Sequence, residues 1–471
     1  MSQNGLPESE QLRVYNNILG TIGKTPLVRL SKLGRELPCP LYAKIEFFNP
    51  GGSVKDRIGV NIIDAAEREG RLKPGGTIVE ATSGNTGVGL AIVAAIRGYK
   101  CVFVMPDKMS QEKIQLLRAF GGKVVITPTA VTPEDPRSYY RVAERIATET
   151  PNAILADQYR NPQNPISHYQ TTGPEIWEQT AGKVTDVIIG MGTGGTYSGV
   201  GKYLKEKNPE IKVIGIDVQG SILKEIWENK GKVPPGVEAN TYKVEGIGED
   251  FLPKTSDLLQ VDEVVRVNDK ESFYWTRRLV AEEGIFAGGS SGSAVAGALS
   301  YCKGLMADRL AVVLLPDSGS RYLSKVFDDK WMRENGFLES EWQEATLREV
   351  LGTKGFSELI SASADDRISD VVAKMKEYGI SQLPAMNGGA EVIGLVREGD
   401  LLTHLLESTA ERPGEDTIKA LLQPAPPSLA AHTPLVDAMS DLVKHNAVLV
   451  NDGGRVVGIL TKIDVLDFIQ R

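Results

Sequence analysis

The sequence predicts an α/β protein, with a large domain on a mostly parallel sheet followed by a smaller domain made of a duplicated unit. Three observations carry this. From around Leu41 to about Pro316, short β-branched runs alternate with longer amphipathic stretches, the pattern of βα units. Several of those runs lead into the next helix through glycine-rich loops. After Gly336 such loops stop, and an internal repeat follows.

Taken in chain order, Tyr42–Phe47 reads as a strand and Asp56–Arg68 as a helix. Thr77–Glu80 is a strand followed by the helix Val88–Arg97, and Cys101–Met105 is the next strand. The helix Gln111–Phe120 places Ile114, Leu116, Leu117 and Phe120 at helical spacing and is ended by Gly121-Gly122. Strands are expected at Lys123–Thr127, Val187–Ile189, Val213–Ile216 and Val312–Leu315, with a helix starting near Tyr197. The stretch Leu338–Lys354 is charged and helix-forming and reads as a connector. Beyond it Ile368–Leu402 aligns with Leu435–Phe468. Each copy reads as helix, short strand, Gly-rich turn, strand, and a helix opening at Asp400 or Asp464. Pro424, Pro426, Pro427 and Pro434 mark the link, because proline lacks an amide proton and has a fixed φ. The expected boundaries are a core over 1–345, a linker over 346–356, and repeats over 357–412 and 413–471.

The bulk properties narrow the function. The chain has 471 residues, 41% apolar and 24% charged, which suits two or three globular domains. Fifty-three basic against 61 acidic residues leave a net charge of −8, which disfavours a nucleic-acid or anionic-membrane surface. Cys39, Cys101 and Cys302 form no CxxC, and His168, His404, His432 and His445 stand far apart, so no metal site or disulfide framework is expected. The apolar run at Val88–Ile96 is far short of the ~20 residues of a spanning helix. With no signal pattern in the first twenty residues, a cytoplasmic protein is expected.

Four loops carry the chemistry. In NPGGSVKDRIG, Asn49–Gly59, Lys55 stands at a helix start, where a cation is slightly unfavourable; it reads either as a surface lysine or as an amine aimed into a cleft. TSGNTG, Thr82–Gly87, lies between a strand and a helix. It is either a capped turn or a receptor that offers amides and hydroxyls to a carboxylate. GMGTGGT, Gly190–Thr196, can cradle a phosphate. Its Gly190, Gly192 and Gly195 also satisfy the dinucleotide fingerprint GxGxxG, with Asp217 placed as a ribose ligand would be. That alternative leaves Lys55, TSGNTG and the last loop, AGGSSGS at Ala287–Ser293, without a role. In the last, Ser290 is either a helix N-cap or a neutral hydroxyl for a ring nitrogen. An amine, a phosphate cradle, a carboxylate loop and a polar partner for a heteroaromatic nitrogen are the parts that a pyridoxal-phosphate enzyme of amino-acid chemistry needs.

The chain resembles the cysteine synthase/cystathionine β-synthase family. The motifs are GKTPLVRL at Gly23–Leu30, FFNPGGSVKDR at Phe47–Arg57, TSGNTG, DQYRNPQNPISHY at Asp157–Tyr169, GTGGT, VEGIGEDF at Val244–Phe251, GGSSGS at Gly288–Ser293 and LPDSGSRYLSK at Leu315–Lys325. The resemblance implies a tryptophan-synthase-β-like (fold type II) pyridoxal-phosphate core and a C-terminal tandem CBS-domain pair. It implies that Lys55 carries the cofactor as a Schiff base and is the catalytic residue. It further implies that Asn85 contacts the ring hydroxyl, Gly192, Thr193, Gly194, Gly195 and Thr196 hold the phosphate, and Ser290 faces the ring nitrogen. Thr82, Ser83 and Thr86 would hold the substrate carboxylate, and Gln158, Tyr159, Gly246 and Gly248 would lie in motifs of the second-substrate entrance. Glu249 stands where animal and yeast members carry Tyr and is a candidate receptor for the homocysteine ammonium; a solvent-facing loop acid is the alternative.

The implied reaction is condensation of L-serine with L-homocysteine to L-cystathionine and water, with hydrogen sulfide-producing side reactions from cysteine. The alternatives are cysteine synthesis from O-acetylserine and sulfide, and a nucleotide-sensing protein with a vestigial catalytic half. Animal members ligate haem through a Cys and a His ahead of the core. No histidine here precedes His168, so no haem is expected. In the repeat module, Thr461 and Asp464, with Asp400 in the first copy, are candidates for an adenosyl ligand, S-adenosylmethionine or an adenine nucleotide; helix capping by Asp464 is the competing reading. A homodimer is implied, and the repeat module offers a route to higher assembly.

Overall fold

The computed structural model describes residues 14–132, 134–338, 342, 345–354, 359–388, 391–409 and 411–470. The signal-pattern reading at residues 1–13, the end of the expected linker at 355–356 and the start of the first repeat at 357–358 lie outside the described residues.

Two compact units result, Met1–Phe337 and Leu338–Arg471. The division precedes the boundary expected at 345. The described part of the expected linker is not a free connector: the short helix Leu347–Gly352 buries Leu347 and Val350 in one core with Val448, Val450 and Leu460. A reciprocal capping box between Thr346 and Glu349 starts that helix.

The first unit holds two sheets. One has six strands in the order β1-β2-β10-β7-β8-β9: β1 (Leu27–Arg29), β2 (Leu41–Ile45), β7 (Asp186–Gly190), β8 (Lys212–Val218), β9 (Glu263–Val267) and β10 (Ala311–Leu315). Only β1 runs antiparallel to its neighbour. The other is a parallel sheet ordered β5-β4-β3-β6, from β3 (Thr77–Ala81), β4 (Lys100–Pro106), β5 (Lys123–Thr127) and β6 (Ala153–Leu155). β3 and β10 are buried along their whole length because helices cover both faces of a parallel sheet; β10 reads as an unbroken apolar run, while β3 carries the buried Thr77 and Glu80. The strand expected at Tyr42–Phe47 ends at Ile45 and tightens into a 3-10 turn, Glu46–Phe48. β1, β6 and β9 were not singled out from sequence; the first two have three residues each, and β9 is partly exposed.

In the second unit, two three-stranded sheets repeat one plan. β11 (Ala362–Ser363) is parallel to β12 (Gln382–Met386), which is antiparallel to β13 (Val392–Arg397). β14 (Ser428–Ala430), β15 (Ala447–Asp452) and β16 (Arg455–Thr461) pair the same way, and both hairpins shift register near the end of the middle strand. The closing helices are Glu398–Glu407 and Lys462–Gln470, so Asp400 and Asp464 fall in their first turns rather than at their first residues.

The chemistry-bearing loops follow the carboxyl ends of strands: Asn49–Ser53 after β2, Thr82–Gly84 after β3, Asp157–Tyr159 after β6, Met191–Gly194 after β7 and Pro316–Ser318 after β10. Ligands of open parallel sheets bind outside that edge.

Candidate active site

Lys55 opens the helix Lys55–Arg68, and its base is held firmly. Two residues on, Arg57 is 3% exposed and pairs with Glu46 at 2.7 Å and Glu175 at 2.7 Å. Burial alone would raise the Glu175 carboxyl, but the Arg57 and Lys44 cations outweigh it and hold it at about 2. Asp56 accepts the Gly51 amide at 2.5 Å, and burial pushes its carboxyl up to about 7. From this anchored start the Lys55 Nζ donates to Thr193 Oγ1 at 3.2 Å. Burial lowers its ammonium to about 8, a shift that the Glu249 and Glu80 carboxylates moderate. Near neutral pH most of it is still protonated, but the neutral fraction, about a tenth at pH 7, is far larger than for an ordinary lysine and can act as nucleophile and base.

The TSGNTG turn depends on Gly84, whose φ of +121° a side chain rarely adopts and whose missing Cβ leaves room for the Lys113 stem. Among the described residues, the amides of Ser83, Asn85, Thr86 and Gly87 donate to no protein acceptor, which leaves a ring of donors at a helix N-terminus. Thr86 Oγ1 donates to Gln158 Oε1 at 2.6 Å, and Gln158 Nε2 donates to the Ala81 carbonyl at 3.1 Å. Ser83, Asn85 and Thr86 line the cavity. Thr82 does not: it is fully buried, and its hydroxyl accepts the Gly84 amide at 2.9 Å inside the turn. Behind the loop the Glu80 carboxylate accepts the amides of Asp157 at 2.7 Å and Gln158 at 3.3 Å, holding Asp157 at a φ of +54°. Burial pushes the Glu80 carboxyl up to about 8.

The loop after β7 is an anion cradle. The amides of Gly192, Thr193, Gly194, Gly195 and Thr196 have no protein acceptor among the described residues, and they sit at the start of the helix Gly195–Lys207. A Cβ on Gly195 would fall within 1.8 Å of Asn164 Oδ1, so this approach requires glycine. Asn164 Oδ1 beside the loop is buried without a hydrogen-bond partner among the described residues, Ser256 Oγ also lies against the loop, and Thr193 is the loop side chain that lines the cavity. His168 is fully buried between Thr172 at 2.9 Å and Thr196 at 3.3 Å, and burial lowers its imidazolium well below the usual value. This donor set fits a phosphorylated cofactor.

Opposite stands the VEGIGEDF loop. Gly246 and Gly248 have φ of +91° and +79°, and both line the cavity with Tyr159, Gln158 and Glu249. The cavity measures about 280 Å³. Tyr139 donates to Tyr140 at 2.5 Å and lies 3.0 Å from the Tyr159 hydroxyl, which makes one wall hydroxyl-rich. The Glu249 side chain makes no ion pair among the described residues. Burial, with the nearby Asp250 charge, raises its carboxyl well above the usual range, and Lys55 partly offsets this. Ser290 lies behind the cavity wall, 2% exposed, with its Oγ 3.9 Å from where a Cβ on Gly246 would stand. The helix Gly289–Cys302 is capped by Gly288, so Ser290 is not its N-cap. Asp217 is engaged by Arg266 at 2.9 Å and the Lys224 amide at 2.9 Å, which removes the ribose acid that the dinucleotide alternative needs.

Sequence reasoning gave no role to Glu80, Lys113, Glu245, Asp317 or Arg321. Lys113, 1% exposed, pairs with Glu245 at 2.7 Å, and Lys325 reaches the other Glu245 oxygen at 2.6 Å. Glu80, Glu245, Asp317 and Arg321 were signalled only by their place inside or beside quoted motifs, and Lys113, in the helix Gln111–Ala119, by nothing in the sequence.

In the second unit a cavity of about 250 Å³ is lined by Leu351, Lys354, Tyr378, Ile380, Thr461 and Asp464, among others. Asp464 accepts from the Thr461 amide at 2.7 Å, its hydroxyl at 2.6 Å and Lys354 Nζ at 2.8 Å. Asp400 is not brought to this cavity.

Comparison with known proteins gives the family. Residues 18–317 match the family of pyridoxal-phosphate dependent enzymes, and residues 353–407 and 418–471 match the CBS domain. A cystathionine beta-synthase of Dictyostelium discoideum is 39% identical, over 97% of this chain and 93% of its own. The enzyme of that name from Mus musculus is 40% identical, over 97% of this chain and 86% of its own. A hydrogen sulfide-producing enzyme from Fusobacterium nucleatum superposes with a TM-score of 0.60 at 37% identity, covering 66% of this chain and all of that one. The chain belongs to the cystathionine β-synthase family of pyridoxal-phosphate-dependent enzymes and carries the tandem CBS domains at its C-terminus.

Proposed function

We propose that the protein joins L-serine and L-homocysteine into L-cystathionine and water, with Lys55 as the catalytic base, and releases hydrogen sulfide when cysteine replaces serine. The observation that carries this is that Lys55, Thr193 of the Gly192–Thr196 loop, and Ser83, Asn85 and Thr86 of the TSGNTG turn line one cavity, in two loops whose amides at Gly192–Thr196 and at Ser83 and Asn85–Gly87 have no protein acceptor among the described residues. An amine, a dianion cradle and a carboxylate receptor are what a pyridoxal-phosphate enzyme of amino acids requires.

Lys55 would hold the cofactor, Gly192, Thr193, Gly194, Gly195 and Thr196 its phosphate, Asn85 its ring oxygen, and Ser290 would face its ring nitrogen. When bound, pyridoxal phosphate supplies the electron sink that acidifies the serine Cα–H. The amides of Ser83, Asn85 and Thr86, with the Thr86–Gln158 pair, receive the serine carboxylate. Lys55 Nζ takes the Cα proton and returns a proton to the departing β-hydroxyl, which leaves as water. The homocysteine sulfur then forms the Cβ–S bond, and its thiol proton restores the balance. Glu249 makes no ion pair among the described residues and burial favours its neutral form; the arriving homocysteine ammonium draws it into the ionised form and is received by it, while Tyr159, Gly246 and Gly248 shape the entrance. Borohydride treatment followed by peptide mapping tests the assignment: the phosphopyridoxyl group belongs on Lys55, and recovery on any other lysine refutes it.

For the second unit we propose that Thr461 and Asp464 bind the ribose of S-adenosylmethionine or an adenine nucleotide, after Lys354 releases Asp464. We also propose the homodimer that the family implies: static light scattering of the full chain at twice the chain mass supports it, and the mass of a single chain refutes it.

A further inference from the structure

The motif LPDSGSRYLSK takes no part in the functions above, yet two of its side chains, Asp317 and Arg321, hold Asn85. Asn85 begins the helix Asn85–Arg97, is 7% exposed and lines the cavity. Its Nδ2 donates to Asp317 Oδ2 at 2.8 Å, and its Oδ1 accepts from Arg321 Nη1. Both partners are buried, Asp317 completely and Arg321 at 3% exposure. Each is itself held. Tyr322 donates its hydroxyl to Asp317 Oδ2 at 2.5 Å, and the second Arg321 nitrogen donates to the Gly51 carbonyl.

A carboxamide has one accepting oxygen and one nitrogen with two protons, a guanidinium only donates, and an ionised carboxylate only accepts. Turning the Asn85 amide over would set N–H against N–H and oxygen against carboxylate between buried groups, where such clashes are costly. Only one orientation is allowed, and it leaves one N–H without a protein acceptor. We propose that Asp317 and Arg321 are positioning residues that lock the Asn85 carboxamide so that this remaining N–H is the donor offered to the ring oxygen of bound pyridoxal phosphate. The inference rests on the reading of Asn85 as a cofactor contact.

The test is a double-variant cycle on the full chain. It measures the pyridoxal phosphate dissociation constant by equilibrium dialysis and the pH dependence of the bound cofactor's visible absorbance. Asn85→Ala should weaken binding about 10–100-fold, the range for one hydrogen bond to a charged group. Arg321→Met should weaken it comparably and shift the absorbance profile in the same direction. The double variant should be no weaker than Asn85→Ala, because Arg321 acts through Asn85. Asp317→Leu should repeat the pattern, whereas Asp317→Asn, whose carbonyl still accepts, should stay within a few-fold of the parent. Losses that multiply in the double variant would overturn the inference, as would an unshifted profile in Arg321→Met. If Arg321→Met does not fold by circular dichroism, Asp317→Leu with its Asp317→Asn rescue decides the same question. No loss in Asn85→Ala would instead refute the reading of Asn85 itself.

Discussion

Lys55 makes the cofactor-free protein less stable than its shape allows, and the size of that cost follows from its surroundings. An ammonium lowered from 10.5 to about 8 by burial is penalised in the native state; at 1.36 kcal/mol per pH unit the penalty is about 3 kcal/mol. The sign is set by proton binding. Below pH 8 both states are protonated and the native state bears the full penalty. Between 8 and 10.5 the native amine is neutral while the unfolded one still binds a proton, so stability rises with pH. Above 10.5 the penalty is gone. Lys55→Met removes the charge and keeps most of the side-chain volume. Cofactor-free Lys55→Met should therefore exceed cofactor-free parent in stability by about 3 kcal/mol more at pH 7 than above 10.5, and by about 1 kcal/mol more at pH 10. Urea unfolding at several pH values, followed by fluorescence of Trp177, Trp227, Trp275 and Trp331 in the first unit, reads the difference. A stability difference that does not change with pH refutes the claim that burial depresses Lys55, whatever its absolute size.

Other perturbations have defined outcomes. Glu245→Leu strands the buried Lys113 ammonium and should cost about 3–5 kcal/mol in the same unfolding assay, while Lys113→Met/Glu245→Leu should recover most of it; a double variant as unstable as the single contradicts the pairing. Glu249→Gln should raise the homocysteine KM about tenfold and leave the serine KM unchanged, as loss of one charge-assisted contact requires. An unchanged homocysteine KM rejects the ammonium role. Adenosine monophosphate or S-adenosylmethionine should raise the melting temperature of the parent but not of Asp464→Ala, and no shift with either ligand favours the reading of Asp464 as a helix cap held by Lys354.

The parts legible in sequence are those in which chemistry and chain geometry coincide. Glycine loops at the ends of apolar runs had to be tight strand-to-helix turns, and three of them, after β2, β3 and β7, bring residues to one cavity from the carboxyl ends of strands in two sheets. Residues within one loop still differ in ways that composition does not reveal. Thr82 and Ser83 are neighbours with similar hydroxyls, yet the Gly84 amide engages Thr82 and leaves Ser83 facing the cavity. Long-range partners were invisible for a related reason: Arg57 meets Glu175 across 118 residues, and Asn85 meets Arg321 across 236. The linker was misjudged because a charged surface hid two apolar positions, Leu347 and Val350, whose core lies about a hundred residues further along the chain. Asp400 and Asp464 hold equivalent places in the repeat, but only Asp464 faces the cavity with Thr461.

The most direct test of the central claim supplies the holoenzyme with serine and offers homocysteine and sulfide as competing acceptors, with products identified by mass spectrometry. Cystathionine formed at the expense of serine, lost in Lys55→Ala, is the result this account predicts. Cysteine from sulfide as the main product, or faster turnover of O-acetylserine than of serine, would contradict it.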